Sequence, residues 1–160
     1  MLFCIGFFIY ICGMEKGTVA TYLENLIRVR DSIPVEVSKI AYKKEIEIID
    51  LNREDQLFEK GIGIDGRILG LYAKNYEGSG RGFPKKKYDR YNFLNTGNLF
   101  DSFDMITNGY ELEIRNNDSK VNLLTDFVEG KFIGLTKENQ EVLNWDMIYP
   151  DLMEFINSKL

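Results

Sequence analysis

The chain has 160 residues, 44% of them hydrophobic and 13% aromatic, with a formal net charge of −5. That is enough to bury one core and too little for two ordinary domains, and an acidic balance disfavours non-specific binding of the whole molecule to nucleic acid or anionic membrane. The absence of histidine removes the usual neutral-pH general base and the commonest transition-metal ligand, while Cys4 and Cys12, both near the N-terminus, fit a reducing compartment better than a secreted disulfide framework.

Residues 1–13 carry no charge and are unlike the rest of the chain. They are too short for a spanning helix of about 20 apolar residues. They also lack the basic n-region and small-residue cleavage site of a signal peptide. The bland account is a mis-assigned start, with Met14 the true first residue. If translated, the segment reads as a sticky, β-prone tail or oligomer contact. Residues 14–160 are expected to form a single α+β domain without membrane contact.

From Thr18 to Arg30, Val19, Leu23, Leu26 and Ile27 recur at helical spacing. Asp31-Ser32-Ile33-Pro34 supplies a break and a restart, since serine caps and proline favours a first helical turn. A second, long helix is expected from Val35 to Glu59. Val37, Ile40, Ala41, Lys44, Ile48 and Leu51 form its stripe, Ile46 and Ile49 widen it, the pattern continues through Gln56 and Leu57, and Lys60-Gly61 is its C-cap. Asp50 to Asp55 lacks the glycine and the terminal glutamate of a calcium loop and reads as a solvated helix face.

Asp65-Gly66 between apolar residues signals a tight turn, and the surrounding glycines are too irregular for a phosphate-binding loop. Residues 74–92 read as a long loop. Arg81 to Tyr91 holds five cations, one anion and three aromatics. Arg81, Lys85, Lys86, Lys87 and Arg90 are therefore the candidate contacts, either for an acidic partner subunit or for nucleic acid, with the aromatics stacking bases.

Thr96 and Gly97 form a structural turn in which the hydroxyl caps backbone N–H groups and the glycine takes a positive φ. A strand is expected to leave it, with Phe103 to Thr107 alternating. Asn108-Gly109 is a type I′ hairpin signal. On the return strand Tyr110, Leu112 and Ile114 share the packed face and Glu111, Glu113 and Arg115 the wet one. Asn116 to Ser119 caps a short helix marked by Val121, Leu124, Phe127 and Val128 and closed by Gly130. Thr136 is the N-cap of a last helical region, divided by Pro150, in which Trp145 is expected in the core.

No serine elbow is present, and no catalytic residue, cofactor site or metal site is assigned. A carboxylate-metal hydrolase built from Asp101, Asp104, Asp118 and Asp126 is the weakest alternative, behind a nucleic-acid-binding accessory protein using residues 81–91. The Gln-Leu and glycine that end the long helix, Gly63 to Tyr72, the basic loop, Leu94 to Phe103 and Phe132 to Thr136 follow one another in an order that resembles tailed-bacteriophage neck and tail-completion proteins, also called virion morphogenesis or minor tail proteins. The Thr-Gly turn from Thr96 to Ser102 and the Phe-x-Gly-Leu-Thr stretch from Phe132 to Thr136 carry it. Asn98 stands where an arginine is usual, and Gly130-Lys131 where Arg-Pro is. The resemblance implies a non-enzymatic structural protein of the head–tail junction or tail end, acting in tail completion. It would join a homo-oligomeric ring, contact other neck or tail proteins and, through the basic loop, DNA, in virions assembled in the host bacterial cytoplasm. An α+β body of N-terminal helices, one of them long, on a small antiparallel sheet with C-terminal helices fits that role.

Overall fold

The protein's structure, a computed structural model, describes residues 16–72, 78–80, 83–85, 89–94, 96–128 and 132–159, with backbone alone for 16–18, 78–80 and 83–85. Helix α1 (Lys16–Lys43) runs through Pro34 without ending, so the break expected at residues 31–34 is not there. A proline inside a helix removes a donor and crowds the carbonyl four residues back. Here Ser32 Oγ donates to the Val29 carbonyl at 2.7 Å, a back-bond of the kind that bends a helix around such a defect. Pro34 also has a packing role, because a Cβ built at Gly109 in the distant hairpin turn would lie 3.5 Å from Pro34 Cβ. Ser38 Oγ donates to the Gly109 carbonyl at 3.2 Å.

Continuity through Pro34 sets the phase of the first half of α1. Ile40 is buried, and eleven residues back, about three turns, lies Val29, which is buried too. Leu23 and Ile27, expected on the packed stripe, are instead 52% and 49% exposed. The interruption falls at Lys44 (φ −104°, ψ 16°), whose N–H is shared between the Ile40 and Ala41 carbonyls at 3.2 and 3.1 Å. Helix α2 (Glu45–Asp50) comes next and passes into a π-helical stretch, Leu51–Lys60, in place of the single α-helix expected to Glu59. Ile48, Ile49 and Leu57 are buried along it, whereas Ile46 is 72% exposed. Gly61 ends it in the left-handed region (φ 60°, ψ 38°), as expected of a C-cap glycine.

The turn around Asp65-Gly66 forms, with an antiparallel bridge between Ile62 and Ile68. A second bridge pairs Leu71 with Arg90, and further along strands β1 (Gly78–Gly80) and β2 (Phe83–Lys85) pair antiparallel. Part of the expected loop 74–92 is therefore sheet. A Gly-Ser-Gly strand shows no apolar alternation by which a sequence reading would find it.

Gly97 (φ 93°, ψ −10°) starts a single helical turn, α3 (Asn98–Asp101), before the strand that was expected to leave it directly. The Thr96 hydroxyl accepts from the Asn98 N–H at 3.4 Å. Strand β3 (Phe103–Asn108) then pairs antiparallel with β4 (Glu111–Asn116). Because Asn108 is opposite Glu111, the turn is centred on Gly109-Tyr110 and not on Asn108-Gly109. Gly109 has φ 64°, and Phe93 is the non-glycine residue with positive φ among the described residues. The turn is thus glycine-first, unlike a type I′ turn, which needs two left-handed residues. Leu112 and Ile114 face inward as expected, and Tyr110 is exposed.

Helix α4 (Val121–Phe127) is next, entered through Asp118 Oδ1, which accepts from the Lys120 N–H at 2.7 Å. Gly130, its expected end, lies outside the described residues. Helix α5 (Lys137–Val142) begins at Thr136, whose hydroxyl accepts from the Asn139 N–H at 3.2 Å, as expected. It passes through a π-helical stretch, Leu143–Ile148, into α6 (Tyr149–Lys159). Pro150 therefore does not divide the helix. The wider turns just before it leave room for the proline ring. They also change the phase of the helix, and Trp145, expected in the core, is 63% exposed, edge-on to Tyr149 at 5.4 Å between centroids.

The whole is an α+β fold in which α1 and α2 pack on β3 and α1 packs on α6. Ile48, Leu57 and Phe132 are fully buried at its centre, with Leu94, Leu99, Phe100, Phe103, Ile114 and Leu135 around them. No helix among the described residues is long and apolar enough to cross a membrane. Replacing Gly97 with valine forces a branched side chain into the left-handed region and is expected to cost about 1–3 kcal/mol. Thermal melting checks this, and an unchanged melting temperature would remove the structural role given to that glycine.

Candidate functional site

The π-helical stretch turns Asn52 inward where a solvated face was expected, beside Gln56, which continues the packed stripe as expected. Asn52 and Gln56 are fully buried. Both reach the segment Phe132 to Thr136. Asn52 Nδ2 donates to the Phe132 and Gly134 carbonyls at 3.0 and 2.8 Å. Gln56 Nε2 donates to Gly134 O at 2.9 Å, and its Oε1 accepts from the Thr136 N–H at 2.8 Å. Gly134 holds φ 120°, a conformation that suits glycine, and so aims its carbonyl at both amides.

Asn139, one turn into α5, completes the clasp. Its Nδ2 has Leu51 O, Asp55 Oδ2 and Gln56 Oε1 at 2.8, 2.9 and 3.0 Å, three oxygens sharing two hydrogens. Lys60 Nζ donates to the same Asp55 oxygen at 2.9 Å. Burial opposes the Asp55 charge, but hydrogen bonds from Lys60 and Asn139, with the Lys60 charge, outweigh it and hold the carboxyl below its ordinary 3.8. A carboxylate with a lowered folded-state pKa adds stability that is fully present above the unfolded value and is lost as pH falls through the folded value. Asp55→Asn is therefore expected to flatten the loss of stability below about pH 4 relative to the parent chain. Urea midpoints measured across that range check it, and parallel curves would contradict it.

The same stretch holds the Thr-Gly segment and the base of the basic tract. Arg53 Nη1 donates to the Phe100 carbonyl at 3.2 Å. Asn116 Nδ2 donates to Leu99 O at 2.6 Å from the other side. Arg90 Nη1 donates to Lys60 O at 3.1 Å, a cation at the carbonyl end of the helix where the dipole favours it. A Cβ at Gly61 would come within 2.7 Å of Arg90 Cβ and 2.8 Å of Tyr91 O, so glycine also permits this close approach. Leu51 to Gly61 is thus a hub touching three separate stretches of chain.

Of the residues singled out from the sequence, Thr96 and Gly97 sit at the α3 turn, and Arg90 is pinned to the hub. Lys85 lies in β2, while Arg81, Lys86 and Lys87 lie outside the described residues, as do residues 1–13. Asp101, Asp104, Asp118 and Asp126 are not gathered, and among the described residues no group of three or more Cys, Asp or Glu side chains is placed to hold a metal ion. Asn52 and Asn139 were missed by sequence reasoning. The available signal was an amide on an apolar helical stripe, which must find a backbone partner when buried.

Comparison with protein-family models, with curated proteins and with solved structures finds no match.

Proposed function

We propose that this chain is a non-enzymatic structural subunit of a tailed bacteriophage or prophage, built into the head–tail junction or tail end and acting in tail completion. In this reading it joins a homo-oligomeric ring, contacts neighbouring neck or tail proteins, and resides in virions assembled in the host bacterial cytoplasm. One observation supports the reading above the others: the stretches that carry the resemblance to such proteins, far apart in sequence, meet at one hub. Gln56 grips Gly134 and Thr136, and Arg53 grips Phe100. Motifs tied together in this way serve as a rigid body, which a ring subunit needs.

The test is peptide mass spectrometry on purified phage-like particles induced from the source organism. Peptides at a few to a dozen copies per particle are expected. Clean absence from complete particles would overturn the structural role. DNA contact by the basic tract is a separate matter, read as a salt-dependent affinity that falls when Lys85, Lys86 and Lys87 are neutralised.

A further inference from the structure

Two surface features outside the hub are complementary in charge. The first is a groove of about 490 Å³ between α1 and the end of α6, in the size range of ligand pockets. Val29, Val35 and Phe155 give it an apolar lining, and Arg28, Lys39 and Lys159 stand around it. Its lining anion, Glu36, is paired with Lys39 at 3.1 Å. The groove is therefore cationic in a chain whose net charge is −5.

The second feature runs from α5 through the π-helical stretch to the first residue of α6. Glu141, Trp145 and Tyr149 recur at spacings of four, and Asp146 adjoins them; all four are exposed. Trp145 and Tyr149 hold each other edge-on, so the aromatic pair is already ordered before anything covers it. Aromatic side chains of this kind anchor protein interfaces.

We propose that copies of this chain associate head to tail, with the Glu141, Trp145, Asp146 and Tyr149 face of one copy seated in the α1/α6 groove of the next. The apolar lining meets the aromatic pair, and Arg28 and Lys159 meet Glu141 and Asp146. The two features occupy different parts of the same subunit. Phe155 is six residues beyond Tyr149, about 9 Å along a helix, so the groove and the face are separate patches of one subunit. In the head-to-tail arrangement each docked pair still presents one open groove and one open face. Such a contact repeats, and it forms a ring where its rotation closes. The proposal supplies the subunit contact that the assembly reading needs, and it rests on that reading for its place in a particle.

Trp145 is the sole tryptophan and reports directly on the docked state. Raising the concentration of the purified chain from about 1 μM to about 1 mM is expected to shift its emission to the blue, protect it from acrylamide and increase the sedimentation coefficient. Reversing the groove charges with Arg28→Glu and Lys159→Glu is expected to weaken association at least about tenfold. Adding Glu141→Lys and Asp146→Lys to the same chain is expected to restore it, which a variant that merely misfolded would not show. A monomer throughout that range, or association indifferent to the charge reversal, would overturn the proposal. A chain that is monomeric yet present in particles would overturn this contact alone. Association without incorporation would overturn the assembly reading alone.

Discussion

Replacing Gln56 with alanine is expected to destabilise the protein by about 2–4 kcal/mol, read from urea unfolding at neutral pH. The amide is fully buried and makes contacts at both its atoms. The losses are unequal. Gly134 O keeps its bond from Asn52 and Asn139 Nδ2 keeps Leu51 O and Asp55. The Thr136 N–H has no such reserve, and a buried donor left without a partner carries the full desolvation cost. Gln56→Glu separates the two halves of the amide. Its carboxylate still accepts from Thr136 but faces the Gly134 carbonyl with a negative oxygen where a donor stood. Burial raises the pKa of such a group in the folded state, so this variant is expected to regain stability as pH falls and the acid protonates. A loss below about 1 kcal/mol in the alanine variant would mean that the clasp contributes little to the fold.

The sequence makes the caps and turns of this protein legible because their chemistry is local. Thr136 and Gly61 do what a capping hydroxyl and a left-handed glycine do anywhere. The β3–β4 hairpin is visible for the same reason, though its turn is centred one residue later than Asn108-Gly109 suggests, since register is set by packing of Leu112 and Ile114 along with turn preference. What escapes is anything decided by long-range phase. A helix unbroken at Pro34 rotates Leu23 and Ile27 outward. Two π-helical stretches turn Asn52 in and Trp145 out. No local pattern announces these widened turns, and the bonds that hold the first of them come from residues about eighty positions away, as with Asn52 and Gly134. The hub was therefore half visible: Gln56 and the Phe132 to Thr136 stretch stood out as motifs, but nothing in their spacing showed that they touch.

Phe132→Ala is expected to cost about 3–5 kcal/mol, the second large effect, and it tests the apolar half of the same junction. The ring is fully buried and lies 5.2 Å from Phe93, which stacks 6.4 Å from Tyr91, itself 4.9 Å from Tyr72. This row of rings connects the core to the base of the basic tract, where Tyr91 also lies over Gly70. A Cβ there would come within 2.3 Å of the Tyr91 ring. Removing Phe132 leaves a cavity that Phe93 is poorly placed to fill, because Phe93 is held at φ 52°, a strained conformation that the surrounding contacts must maintain. Phe132 is also the residue whose carbonyl Asn52 holds, so its backbone stays tethered while its side chain is gone. The Phe132→Ala and Gln56→Ala losses are therefore expected not to add. Once either has loosened the segment, the other has less to lose, and the double variant should fall short of the sum by about 1 kcal/mol or more. Simple additivity would show that the ring and the amide hold the chain independently, and that the meeting of the two motifs at Leu51 to Gly61 is contiguity without cooperation.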